Sequence, residues 1–331
     1  MRKETMDKHL PAKQNAGLQT RSPGAGRIPS LISDAGREAT ESFVEFFAST
    51  IPNKNTRTAY LHAVAQFSEW CEERQIPLQE VSPIILAAYR EQHSGSLPTI
   101  KQHFSALRMM FAWFVEKGVA ERNPVREVKT AKFSRREGKT PALSVEEVQQ
   151  LFESFDTDSV VGLRDRALIG VMAYTFARVD AATSLRIRDY VQQGRRNFIR
   201  LREKGGKEKE IPCHHKLEEF LDAYILAADL GGGKDAPLFR TAAGRTGKLT
   251  ENPMSRFDAW KMVRRRLSDA SIHGEFTNHS FRATGITTFL ENGGSLESAQ
   301  FIAGHADSRT TKLYDRRHQR ASLEDLERVR Y

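Results

Sequence analysis

Near the end of the 331-residue chain, the stretch IAGHADSRTTKLYDRR sets a tyrosine among basic residues. His305 stands nine residues before Tyr314, and Arg309 and Lys312 lie between them. A tyrosine hydroxyl has a pKa of about 10, so it is a poor nucleophile unless its proton is drawn off or its anion is stabilised. Two explanations follow: Tyr314 is a half-buried surface residue, or it attacks a phosphate.

Two single cations could serve the same chemistry. Arg178 lies near the end of an apolar helical stretch, where a buried arginine is costly unless an anion or a carboxylate meets it. An ion pair with Asp180 or Asp189 is the simpler explanation. Lys204 lies in the turn REKGGKEK, where glycines permit a sharp bend and a lysine can reach outward. Here a solvated hairpin tip is the simpler explanation.

The stretch NHSFRATG carries a third feature. His279 and Arg282 are three residues apart, so they share one face of a helix. A planar guanidinium beside an imidazole suits the binding of an oxyanion. A capped helix start with incidental polar residues would explain the same pattern.

Taken together in order and spacing, these features resemble the signature of the tyrosine recombinase (phage integrase) family. That family carries an arginine, a hairpin lysine, a His-x-x-Arg pair, a Gly-His and then a tyrosine. The resemblance covers about residues 40–331, and its ordered residues are Arg178, Lys204, His279, Arg282, His305 and Tyr314.

The sequence departs from the family pattern at two positions. The family often has an acidic residue three places after the first arginine, where this chain has Ala181. The support of Arg178 is therefore expected to be rearranged, with Asp180 as a possible partner. The family commonly has leucine before the Gly-His, where this chain has Ala303, a small change.

The resemblance implies a site-specific DNA recombinase or integrase that cleaves and rejoins DNA through a 3′-phosphotyrosyl intermediate. Breaking a phosphodiester needs a nucleophile, charge stabilisation on the non-bridging oxygens and a proton for the leaving oxygen. By this resemblance Tyr314 is the nucleophile, and Arg178 and Arg282 clamp the scissile phosphate.

The resemblance also assigns the proton transfers. His279 and His305 would hydrogen-bond the phosphate oxygens, and one of them would help to deprotonate Tyr314. Lys204 would be the general acid for the leaving 5′-hydroxyl, chosen over Lys207 because of the family's hairpin pattern.

The implied partners are double-stranded DNA and a homo-tetramer on two DNA duplexes, with no cofactor. No metal is expected, since the arginines neutralise the phosphate charge and the adjacent Cys213, His214 and His215 cannot easily converge on one ion. Two alternatives stay open. One is a type IB topoisomerase-like enzyme that relaxes DNA, and the other is a catalytically silent DNA-binding regulator of the same fold.

The composition agrees with these expectations. The net charge is +9 and the isoelectric point about 9.6, which suits a polyanionic partner. The two cysteines, Cys71 and Cys213, are no disulfide framework and fit a reducing compartment. No apolar run approaches 18 residues, so no membrane span is expected. A bacterial cytoplasmic, nucleoid-associated protein is predicted.

Four regions are predicted from composition. Residues 1–38 are rich in Pro, Gly, Lys and Arg and are expected to be a disordered basic arm. Residues 39–129 are predicted to be helical, and the resemblance implies that they form a SAM-like core-binding domain that binds DNA; 130–142 are predicted to be a basic linker. Residues 143–331 are predicted to be α-rich and to end in a tail helix near 322–330, and the resemblance implies that they form the catalytic domain.

Periodicity predicts the elements of the first domain. Tyr60, Val64, Phe67 and Cys71 mark one helical face, in a helix capped by Asn53 or Asn55. A second helix spans the apolar stretch after Thr99, and no segment alternates as a strand.

In the second domain, Ser144 and Glu147 form a capping box before a helix. Residues 198–203 alternate with period two and predict a strand, which returns over 208–212 after a Gly-Gly turn. The remaining pattern predicts helices over 214–229, about 253–270, 279–292 and 295–303. The predicted fold class is mostly α in two domains, with a small antiparallel β-sheet.

Overall fold

The computed structural model describes residues 28–130, 140–203, 206, 208–230, 233–244, 246–315 and 327. The chain divides into two compact units, residues 1–134 and 135–331. Helices dominate both units, and the strands pair in antiparallel fashion. The predicted fold class is therefore confirmed.

Five α-helices make up the described part of the first unit. They are α1 Ser30–Ser33, α2 Arg37–Glu45, α3 Lys54–Glu72, α4 Pro83–Gln92 and α5 Leu97–Glu116. A π-helical turn, Phe46–Thr50, continues directly from α2.

The core of the first unit lies between the two long helices, α3 and α5. Phe67 on α3 and Phe104, Phe111 and Phe114 on α5 are almost wholly buried. Of the two asparagines that could cap α3, Asn53 does so, since its side chain accepts from the backbone N–H groups of residues 55 and 56. The amphipathic pattern of the sequence thus gives the observed core.

The prediction of a disordered arm over residues 1–38 is wrong for residues 28–38, which the structure describes. Residues 28–38 hold α1 and the start of α2, and Leu31 and Ile32 are buried in the core of the first unit. A four-residue helix is too short to show a periodic pattern, and its two apolar residues stand in a mostly polar stretch, so the sequence did not predict it. Residues 1–27 lie outside the described residues.

The described part of the second unit holds three α-helices, then five strands with one α-helix among them, and then four α-helices up to residue 312. Its elements are α6 Val145–Glu153, α7 Val160–Tyr174, α8 Val179–Thr183, β1 Tyr190–Gln193, β2 Arg196–Arg202, β3 Glu208–Pro212, α9 His215–Ala227, β4 Arg240–Ala242, β5 Leu249–Pro253, α10 Arg256–Asp269, α11 Asn278–Glu291, α12 Leu296–Ala303 and α13 Ser308–Lys312. The capping box of Ser144 and Glu147 forms as predicted at the start of α6.

The predicted hairpin forms, and β1 adds a third strand to it. The order is β1-β2-β3, with Ile199 of β2 opposite Tyr190 and Ile211. A separate pair, β4 and β5, was not predicted. Its strand β5 occupies residues 249–253, so the helix expected from 253 begins only at Arg256, where Ser255 and Asp258 form a capping box. These strands are only three and five residues long and lack an alternating pattern, so the sequence did not predict them.

The core of the second unit is built around α7, which is buried over most of its length. Within this core Asp165 is fully buried, and its carboxylate accepts from Arg164, Arg265 and Arg266. A smaller apolar cluster joins α11 and α12 to Phe176 and Tyr314. The predicted tail helix near 322–330 lies outside the described residues apart from residue 327. No helix in the described part of the chain is long and apolar enough to cross a membrane.

Candidate active site

Tyr314 lies against a histidine contributed by α11. Its hydroxyl is 3.0 Å from Nε2 of His279, and its ring is stacked on His305 at a centroid distance of 6.0 Å. Tyr314 follows α13, and it is only 9% exposed because α11 and α12 pack around it. The structure therefore brings together three of the predicted site residues, His279, His305 and Tyr314.

The start of α11 fixes the position of His279. The side chain of Thr277 caps the helix by accepting from the backbone N–H of His279, in a capping box with Ser280. His279 is exposed, yet the surrounding protein atoms still desolvate its ring. Together with the positive charge of Arg282, this holds the pKa of His279 below its usual value. Neutral His279 can accept the proton of Tyr314 through Nε2.

Arg282 lies one turn further along α11 and has no solvent exposure. Its two terminal nitrogens donate to the backbone carbonyls of Phe176 and Ala303. Burial lowers its pKa to about 10, so it is still a cation at neutral pH. Its Nε has no hydrogen-bond partner among the described residues, so this N–H could donate to a ligand oxygen.

One of these carbonyls comes from a strained residue. Phe176 has a φ of 53°, in the left-handed region that residues with a side chain rarely adopt. Its ring is buried against Phe289, and α11 approaches it closely at Gly285. The packing of the ring holds the backbone in this conformation, which directs the Phe176 carbonyl to Arg282.

His305 is the second histidine beside Tyr314, and its ring is stacked on the tyrosine ring. It is buried, its Nδ1 is 2.9 Å from the hydroxyl of Thr311, and its backbone N–H donates to Gln300. Burial and the nearby positive charge of Arg282 lower the pKa of His305 to about 3. The imidazole is therefore neutral at any ordinary working pH and can donate only from one nitrogen.

The predicted role of Asp180 as the support of Arg178 is wrong. Asp180 is exposed at the start of α8, whereas the guanidinium of Arg178 pairs with the carboxylate of Glu203. The alternative partner, Asp189, is fully buried and pairs with Arg202 instead. Arg178 keeps 40% of its side chain exposed, so it can still reach a ligand.

A lysine that sequence reasoning missed lies in the same cluster. Lys209 on β3 has a side chain only 9% exposed, and its Nζ lies 3.2 Å from Oε1 of Glu203 and also donates to the carbonyl of Ile302. Burial lowers the pKa of Lys209. The signal was present in the strand period, because Lys209 shares a strand face with the buried Ile211.

The alternation of side chains along a strand also explains why the side chain of Glu203 is buried. It follows β2 at the next odd position after the buried Ile199 and Leu201, so its side chain points to the interior. Lys204, the predicted general acid, lies outside the described residues, as does Lys207. The role of Lys204 therefore stays a prediction.

Gly304 lets these groups approach one another. It ends α12 in the left-handed conformation, with a φ of 61° that a glycine adopts without strain. A Cβ added there would lie 3.4 Å from the carboxyl carbon of Glu203 and from Nζ of Lys209. A cleft of about 590 Å³ opens at this point, and Arg178 and His305 are among its lining residues.

Comparisons with known proteins agree with this geometry. The model of the phage integrase family matches residues 141–320. Tyrosine recombinase XerD of Ralstonia nicotianae is 30% identical over 268 residues, which cover 79% of this chain and 83% of that protein.

Two solved structures show the same fold. The XerH site-specific recombinase bound to difH substrate, in a pre-cleavage complex, matches with a TM-score of 0.66 at 19% identity, covering 91% of this chain and 95% of that one. A lambda integrase tetramer bound to a Holliday junction matches with a TM-score of 0.63 at 17% identity, covering 86% and 79%.

The matches to the family model and to XerD, together with this mostly helical fold, define a DNA-binding enzyme that exchanges DNA strands. The chain belongs to the phage integrase family, the tyrosine site-specific recombinases. The predicted family and class of enzyme are confirmed.

Proposed function

We propose that Tyr314 is the nucleophile of this recombinase and that the residues around it form one complete cleavage site. The observation that carries this proposal is the contact of 3.0 Å between the Tyr314 hydroxyl and Nε2 of a neutral His279. A phenol paired with a neutral imidazole is the arrangement in which attack and proton transfer can be concerted.

The proposed reaction balances as follows. The Tyr314 oxygen attacks the scissile phosphorus while its proton passes to Nε2 of His279. The bond from phosphorus to the 5′-oxygen breaks, and this oxygen takes a proton from a general acid, for which Lys204 is the candidate. The products are a 3′-phosphotyrosyl bond and a free 5′-hydroxyl. Reversal with the 5′-hydroxyl of another strand rejoins the DNA.

The charge that develops on the non-bridging oxygens would be stabilised by fixed donors. Arg178 is the accessible cation, and Arg282 offers its unpartnered Nε. His305, held neutral, can add a hydrogen bond from its ring. Because Arg282 has no solvent exposure, contact with the phosphate requires a local opening when DNA binds.

Several further expectations belong to the same proposal. The first unit would bind DNA as a core-binding domain, and the basic segment 130–142 would follow the phosphate backbone. A homo-tetramer on two duplexes would carry out strand exchange, and the lambda integrase tetramer on a Holliday junction supports this by similarity. A bacterial cytoplasm is the proposed location.

Covalent trapping tests the proposal. Purified protein is incubated, without added metal or ATP, with nicked duplexes tiled from the DNA that flanks its gene, and SDS-resistant adducts are measured. Adduct in the wild type and none in Tyr314→Phe is the expected result. Tight, specific binding of a duplex without any adduct would contradict the assignment of Tyr314 and favour the DNA-binding regulator.

A second readout separates recombination from relaxation. Two duplexes that carry the trapped site and different end labels are mixed with the wild type. Joined products that carry both labels are expected of a recombinase. Relaxation of supercoiled DNA without such products would favour the topoisomerase-like alternative.

A further inference from the structure

Glu203 is a buried carboxylate for which neither the family signature nor the proposed reaction provides a role. Its side chain is 6% exposed, directly after β2. An ionised carboxylate is expensive to bury unless cations and hydrogen bonds compensate for the lost water. We therefore ask which groups compensate for the burial of Glu203 and what this carboxylate does beside the proposed phosphate site.

The two oxygens of Glu203 face two different cations. Oε2 accepts a hydrogen bond from Nη1 of Arg178, whereas Oε1 lies 3.2 Å from Nζ of Lys209. The second contact is a buried ion pair. Glu203 thus bridges an accessible guanidinium and a buried ammonium.

The two cations differ in what they can still bind. Lys209 is enclosed: its side chain is only 9% exposed, and its Nζ also donates to the carbonyl of Ile302. Arg178 is 40% exposed, and its guanidinium makes no other hydrogen bond among the described residues. A planar guanidinium that is fixed at one nitrogen presents its remaining donors in a set direction. Arg178 and His305 line the same cleft.

We propose that Glu203 is a positioning residue, whose buried carboxylate holds the Arg178 guanidinium in the orientation that receives the scissile phosphate. Lys209 supplies the countercharge that keeps this carboxylate ionised in the interior. Glu203 thereby has the supporting role that the sequence suggested for Asp180, which is exposed. The inference rests on the proposed function of the site.

The opposite role of Glu203 makes a different prediction. If the carboxylate only occupied the anion site until DNA arrived, its removal would free Arg178 and accelerate cleavage. If it orients Arg178, its removal slows the chemical step while the other DNA contacts are unaffected. A displacement of about 1 Å in a positioned group can cost roughly 100-fold in rate.

The test measures single-turnover adduct formation across a series of DNA concentrations with the full-length protein. Glu203→Gln keeps the shape of the side chain and removes its charge. The maximal rate is expected to fall by roughly 10- to 100-fold, with the half-saturating DNA concentration within about threefold of the wild type. The matched control is Glu208→Gln, an exposed carboxylate that pairs with Arg202, and it should react within about twofold of the wild type.

Two double variants keep the result specific. Glu203→Gln with Lys209→Met removes the buried pair together, so no unpaired ammonium can unfold the protein, and the loss of rate should persist. In an Arg178→Ala background, Glu203→Gln should change the rate by less than about threefold, because its effect passes through Arg178.

Equal maximal rates for Glu203→Gln and Glu208→Gln, or a faster Glu203→Gln, would overturn this inference. An undiminished effect of Glu203→Gln without Arg178 would overturn it as well. Failure of the proposed function is a different result, because in that case the wild type itself forms no adduct on a duplex that it binds.

Discussion

Gly285 is where the fold and the proposed site depend on the same contact. A Cβ added to this residue of α11 would lie 2.2 Å from the backbone oxygen of Ala173 and 2.6 Å from the ring of Phe176. The oxygen belongs to α7 and cannot rotate away, so the two helices must separate by about 1 Å to reach an ordinary contact.

The cost of Gly285→Ala can be worked from that displacement. Overpacking of this kind costs about 1–3 kcal/mol, and contact with a backbone atom places this site near the upper end. Alanine recovers about 1 kcal/mol over glycine within a helix. The expected net loss is about 2 kcal/mol in the free energy of unfolding of the second unit.

Hydrogen exchange followed by mass spectrometry resolves this loss by unit. A loss of about 2 kcal/mol corresponds to roughly 30-fold faster exchange of the most protected α11 amides. Peptides from α5 in the first unit should be unchanged. Adduct formation should also fall, because movement of Phe176 takes its carbonyl away from Arg282.

Two other glycines are matched controls. In Gly170→Ala the added Cβ meets only side-chain atoms at 3.1 and 3.2 Å, which can give way, and in Gly233→Ala its nearest neighbour is 3.9 Å distant. Both should exchange within about fivefold of the wild type. An unchanged α11 in Gly285→Ala would refute the reasoning from helix separation.

Two further predictions concern buried charge and pH. Asp165→Asn should lower the free energy of unfolding, measured in urea, by about 3 kcal/mol or more, because it leaves the arginine partners without a buried countercharge. The control is Glu219→Gln, whose exposed ion pair with Lys216 contributes under about 1 kcal/mol. Equal losses in the two variants would contradict this account. Adduct formation should rise with pH as His279 loses its proton, and it should level off at a lower pH than an unshifted imidazole would give, because the pKa of His279 is lowered. His279→Gln should lose this acid limb, and a limb that survives the change would exclude His279 as the base.

The order of chemically active residues was enough to predict the class of enzyme. The His-x-x-Arg spacing places His279 and Arg282 on one helix face, and the nine-residue step brings Tyr314 back to it. Strong amphipathic periods gave α3 and α5 in the same way. These features are local or helical, and such patterns are legible in one sequence.

The contacts that support the site were less accessible to sequence reasoning. The partner of Arg178 was sought beside it in sequence, at Asp180, but the structure supplies Glu203, which follows β2 and is 25 positions away. Short segments such as α1 and β5 were missed because four or five residues carry little period. Pairing between distant elements depends on the tertiary fold, which no local pattern encodes.

The acceptors of Arg282 have a consequence for how this site can change over generations. Both are backbone carbonyls, of Phe176 and Ala303, so no substitution of a side chain removes either one. Sequence drift at these two positions is therefore constrained by shape and not by chemical identity.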